Sequence, residues 1–208
     1  RFISVRRRYP ARFRFKKEQR AKVSDKPFDL TAHKPFESKY FEDLKVGDTF
    51  HIPSRTMTEA LFSAFQLASG DNHPIHYDVE FCKRHGHRGL VAHGFQTLIQ
   101  TAPGAGWFPF VVEDSLIGFI EQSSKFLKPV YSGDTLYSML EIVDLQAYRS
   151  TGVVNIRSTI HNQDSELVLE GEQKFLLKKY FHSLNSINFK FVVEISLNLP
   201  YHMGKRER

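Results

Sequence analysis

Residues 69–76 read SGDNHPIH, and the arrangement of the chain around them follows from how this stretch is read. Upstream, Leu61, Phe62, Phe65 and Leu67-Ala68 recur at helical spacing, with Thr56 or Thr58 available as the cap and Ser69-Gly70 as the stop. Pro, Asn and His in DNHPIHYD exclude continuation of that helix, so this stretch is an ordered loop. A second short helix is predicted around Val79–Arg84. Glycines Gly86, Gly89 and Gly94 then bracket LVAHGF, which leads into a helix over Gln96–Ala102 halted by Pro103-Gly104.

Further out on both sides the pattern changes period. Before the first helix, FEDLKVGDTF (41–50) opens a compact domain, with Gly47-Asp48 as a turn ahead of a short strand Thr49–Ile52. After the third helix, Leu116–Leu127, Thr135–Leu145, Val153–Asn162 and Leu167–Leu177 are rich in β-branched and aromatic residues, and Gly, Asp or Asn marks each junction. One strand, helices, then four consecutive strands describe an α+β domain whose antiparallel sheet packs on a helix. The Phe-rich strand around Phe119–Phe126 is expected to be core. The tail beyond Tyr180 alternates in NFKFVVEISLNL like a further strand, although the domain reads as complete by Lys179.

Composition narrows the function class. The single cysteine, Cys82, excludes an internal disulfide framework and a multi-cysteine zinc site, leaving a small buried hydrophobe as its default role. Apolar runs such as Ser115–Ile120 and Phe191–Ile195 fall far short of the roughly 20 residues that cross a bilayer. The net charge of +6 is concentrated at the ends: residues 1–22 hold ten Lys/Arg against the single acid Glu18, whereas 23–180 hold fifteen basic and twenty acidic residues. The mildly acidic middle gives no ground for nucleic-acid binding. The stretch 1–22 has the composition of a mitochondrial-type presequence or of a basic arm, so a mitochondrial and a cytoplasmic location are both compatible with it.

Chemistry concentrates in the quoted loop. Asp71 and His76 put a carboxylate and an imidazole on a turn stiffened by Pro74, an arrangement suited to general acid/base work without metal or covalent nucleophile. Spacing alone leaves open that Asp71 closes an Asx turn and His76 is merely packed.

The loop resembles the Asp-x-Asn-Pro-x-His motif of the MaoC-like, R-specific enoyl-CoA hydratase family. The resemblance extends through Phe41–Phe50, Val91-Ala92-His93-Gly94, Phe126-Leu127-Lys128-Pro129-Val130 and Gly133-Asp134, and so spans about residues 40–178. It implies a hot-dog fold, a long central helix wrapped by the sheet, over residues 41–179. Residues 1–40 would then be a basic extension and linker, and 180–208 a tail of unassigned role. It implies reversible hydration of trans-2-enoyl thioesters, on coenzyme A or acyl carrier protein, by Asp71 and His76. No cofactor is needed, and two copies are expected to pair as a homodimer. The amide of Gly94 is the candidate donor to the thioester oxygen, although Gly94 also suits close helix–sheet packing.

One departure stands at the loop's centre: His73 occupies the family's Asn position, with Asn72 one place earlier, so His73 is expected to face substrate in its stead. The cluster Lys83-Arg84-His85-Gly86-His87-Arg88 is a candidate grip for coenzyme A phosphates, with Arg84 and Arg88 foremost; a solvated surface loop is the competing reading. A non-enzymatic hot-dog subunit of a larger assembly is the alternative to an enzyme, and a thioesterase on the same fold a third.

Overall fold

A computed structural model describes residues 27–180. The arginine-rich stretch 1–22 and the strand-like NFKFVVEISLNL lie outside these residues. The chain divides into two units, Arg1–His33 and Lys34–Arg208. In the described part of the first, the Asp29 carboxylate accepts from the Thr31 amide at 2.8 Å and starts a single 3-10 turn, Leu30–Ala32.

The second unit runs β1 (Thr49–Thr56), α1 (Glu59–Ser69), α2 (Val79–Arg84), α3 (Gly94–Leu98), the one-turn α4 (Phe108–Val111), β2 (Leu116–Phe126), β3 (Thr135–Ala147), β4 (Thr151–His161) and β5 (Leu167–Lys178). The strands form one antiparallel sheet in the order β1-β3-β4-β5-β2. The expected α+β arrangement is therefore present, and among the described residues no helix is long and apolar enough to cross a membrane.

Three details differ from the sequence reading, each for a local reason. Strand β1 continues past Ile52 to Thr56 despite Pro53, because β1 is an edge strand and its register shifts between Ile52 and Arg55. The central helix starts earlier than read, at Gly94, and its last turn tightens: α3 passes into a 3-10 turn at Ile99–Thr101, and Pro103 opens a separate turn. Ala102, held extended at ψ 122° before that proline, ends the helix. Finally, Phe119, Ile120 and Phe126 are not core; they are 53%, 53% and 51% exposed, because β2 is the opposite edge of the sheet and pairs only with β5.

Two apolar clusters support the sheet. One gathers Leu140, Ile142, Val154, Ile156, Phe175 and Leu177 against Phe41, Phe108 and Val112. The other joins Met57, Phe62, Cys82, Leu90, Ala92, Leu136 and Ile160, with Ile75 of the quoted loop packed on it. Phe62 is the one buried side chain of α1, while Leu67 of the same predicted face is exposed. Burial of a phenylalanine contributes about 2–3 kcal/mol, so α1 is held to the domain mainly through Phe62 and its caps.

Candidate active site

The loop is held by hydrogen bonds that its own sequence supplies. The Thr58 hydroxyl accepts from the Leu61 amide at 3.3 Å to begin α1. Gly70, at φ +72°, closes it with an N–H donated to the Gln66 carbonyl, a left-handed conformation that favours glycine. Asn72 accepts from the Gln66 side chain at 2.7 Å and donates to the Gly70 carbonyl at 3.2 Å. Pro74 starts a 3-10 turn through His76, and His73 caps it by accepting from the Ile75 amide on Nδ1 at 3.4 Å. The Ile75 carbonyl then receives the Val91 amide at 3.1 Å and the Cys82 thiol at 3.1 Å. Cys82, fully buried, thereby braces the loop.

This frame brings Asp71 and His76 together. Oδ2 of Asp71 lies 3.8 Å from Nε2 of His76, with the carboxylate half-exposed and the imidazole nearly covered. At 3.8 Å the two do not share a direct hydrogen bond; the separation suits one water held by both. His76 Nδ1 is 2.7 Å from the Val91 carbonyl oxygen. A carbonyl can only accept, so Nδ1 carries the proton and Nε2 presents its lone pair toward Asp71. Burial pushes the His76 pKa below the ordinary value, helped by neighbouring His93 and His73 and opposed by the Val91 hydrogen bond and Asp71. A neutral His76 with a free Nε2 is a competent base at neutral pH.

The residue that sequence reasoning passed over is His93, named there only as part of the Val91-Ala92-His93-Gly94 run. Its ring is 2% exposed and stacks on His76 with centroids 3.6 Å apart and planes 19° from parallel. Its Nε2 lies 3.1 Å from the Asp71 backbone carbonyl, which can only accept, so Nε2 carries a proton, while Nδ1 lies 3.4 Å from the Gln96 Oε1. The available signal was a histidine inside the apolar-to-glycine run Val91-Ala92-His93-Gly94. One ligand atom from each of Asp71, His76 and His93 falls within 4.8 Å of the others. With His93 Nε2 on the Asp71 carbonyl and His76 Nδ1 on the Val91 carbonyl, His76 Nε2 is left facing the Asp71 carboxylate, an arrangement suited to proton transfer.

The remaining expected site residues are distributed as follows. Gly94 begins α3, and the side chain of its N-cap residue His93 makes no capping hydrogen bond. A Cβ there would meet the Phe126 ring at 3.6 Å, an ordinary contact, so close packing does not demand glycine. Arg84 is exposed at the last turn of α2 and makes no ion pair among the described residues. Arg88 is committed elsewhere: it pairs with Asp134 and lies 4.2 Å over the Tyr131 ring. Burial pushes the Asp134 pKa up, yet hydrogen bonds from the Tyr131 amide, Arg88 and Gln163 outweigh it and hold the carboxyl low. Arg88 thus braces the turn that follows Lys128-Pro129-Val130. A cavity of about 150 Å³ lies away from the pair, lined by Ile52, Arg55, Gln100, Ala105, Leu136 and Ser138 among others; Asp71, His76 and Gly94 do not line it.

Residues 43–163 match the family described as MaoC like domain. The chain belongs to this family. The mitochondrial 3-hydroxyacyl-[acyl-carrier-protein] dehydratase of Arabidopsis thaliana is 26% identical over 137 residues, covering 64% of this chain and 78% of that protein. The (R)-specific enoyl-CoA hydratase of Rhodospirillum rubrum is 28% identical over 137 residues, covering 64% of this chain and 88% of the relative. Among solved structures, a conserved hypothetical protein of Mycobacterium tuberculosis with a double hot-dog fold aligns at TM-score 0.58 and 26% identity, over 68% of this chain and 44% of that one. The MaoC-like chain thus has the hot-dog fold, in a family of hydratases and dehydratases of acyl thioesters.

Proposed function

We infer that this chain is a hydro-lyase that adds water reversibly to trans-2-enoyl thioesters, with Asp71 and His76 as the acid/base pair. The observation that carries the reading is the lone pair of His76 Nε2, fixed by the Val91 carbonyl and aimed at Asp71 across a 3.8 Å gap. In hydration, a water held by both groups gives one proton to Nε2 as its oxygen bonds C3 of the enoyl chain. The C2–C3 π electrons move toward the thioester oxygen, where the amide of Gly94 at the start of α3 donates a hydrogen bond. The imidazolium, stabilised by the Asp71 carboxylate, returns a proton to C2, and the sum is addition of one water. Dehydration is the same path reversed.

Substrate phosphates fall to Arg84, since Arg88 is already paired with Asp134. Pairing of two copies would cover the exposed Phe95 and Ile99 of the central helix and Phe126 and Leu127 at the β2 edge. The test is direct. Purified full-length protein is mixed with trans-2-enoyl-CoA and enoyl-acyl-carrier-protein substrates of graded chain length, and loss of enoyl absorbance is followed. Turnover of either carrier supports the reading, and its absence with every chain length on both carriers removes it.

A further inference from the structure

His93 is a buried, titratable side chain that the acid/base scheme leaves without a task, yet it touches both members of the pair. Its Nε2–H holds the backbone carbonyl of Asp71 at 3.1 Å, and its ring face covers the face of His76 at 3.6 Å. On its other side it meets the Phe65 ring of α1 at 5.0 Å, and below it Gln96 of α3. It therefore ties α1, the loop and the start of the central helix to one point.

We propose that His93 is a positioning residue of this site, fixing the separation of the Asp71 carboxylate from His76 by one hydrogen bond and one stacked ring. This rests on the hydratase reading. Two consequences follow, one from each contact. Without the hydrogen bond, the Asp71 main chain is free to shift, and misplacement of an acid/base group by about 1 Å costs on the order of 100-fold in rate. Without the stacked ring, His76 gains water on one face, and the burial that keeps it neutral is relieved. Among the described residues, the charged and titratable groups facing His76 would then be Asp71 and His73.

The experiment separates the two contacts in the full chain. His93→Phe keeps a ring on His76 and removes the donor; His93→Gln keeps a donor in reach of the Asp71 carbonyl and removes the ring. Thermal melting establishes that each variant is folded. The expected result for His93→Phe is a fall in kcat of roughly 10-fold or more with KM little changed. For His93→Gln, the His76 titration followed by NMR should move up toward 6.5, and the acid limb of kcat/KM should move with it. Folded variants with wild-type kcat and an unmoved His76 titration would overturn the proposal. Ring nitrogen shifts of the wild-type protein provide a readout independent of variants and of activity: the proton of His93 belongs on Nε2, and finding it on Nδ1 overturns the proposal. Because this readout needs no turnover, failure of the hydratase reading and failure of the positioning role are told apart.

Discussion

His76 donates its Nδ1 proton to the carbonyl oxygen of Val91 at 2.7 Å, across fifteen residues of sequence. Val91 is itself fixed, since its amide is bonded to the Ile75 carbonyl and it bridges to Tyr131. The tautomer of the base is thus set by the same backbone contact that closes the loop.

Burial of the His76 ring, against the pull of this contact, sets the direction of the pH behaviour. The folded-state pKa of His76 is lowered, so activity should persist as pH falls through 6.5, the ordinary histidine value, and be lost only below it. Stability has the same sign. The unfolded chain takes up the His76 proton at higher pH than the folded chain, so this contribution is complete above 6.5 and declines as pH falls below that value. Rate profiles and melting curves against pH, compared with His76→Gln, test both. An acid limb above 6.5, or a melting temperature that rises on acidification through this window in the wild type alone, contradicts the assignment.

Arg84 and Arg88 should separate cleanly. Arg88→Ala leaves the buried Asp134 carboxylate without its guanidinium, which costs roughly 1–3 kcal/mol of stability, with the lower end favoured because Arg88 is half-exposed. Arg84→Ala should leave denaturant midpoints unchanged and raise KM for acyl-CoA, less so at high salt, since remote phosphates supply binding common to ground and transition states. The reverse pattern, a stable Arg88 variant with raised KM, would place the phosphate grip at Arg88.

Gly94→Ala tests the amide at the start of α3. Its Cβ finds only ordinary contact with Phe126, so the melting temperature should be unchanged or slightly raised. A methyl group beside the proposed thioester oxygen should nonetheless lower kcat/KM by about 10-fold or more. Wild-type kinetics in this variant would remove Gly94 from the site.

Much of this organisation was legible in the sequence because local chemistry specified it. Thr58 and Gly70 delimit α1, and the β-branched strands pair much as their turn residues divide them. Asp71 and His76 were legible because a rigid loop carried both. The exposure of β2 was not, because an edge and a central strand share the same composition and differ only in their neighbours. The commitment of Arg88 to Asp134, 46 residues away, and the stacking of His93 on His76 are long-range contacts with no local spacing to announce them. The stop of the central helix before Pro103 was legible in the proline itself, whereas the tightening of its last turn to a 3-10 turn at Ile99–Thr101 has no local sequence signal.

The central claim is that Asp71 and His76 together perform the proton transfers. Its most direct test is the initial rate of enoyl absorbance loss for wild type, Asp71→Asn and His76→Ala, measured side by side on one trans-2-enoyl-CoA with folding verified for each. Turnover by the wild type is expected, with a fall of roughly 100-fold or more in kcat for either variant. Hydration by the wild type with near-normal kcat in either folded variant would contradict it.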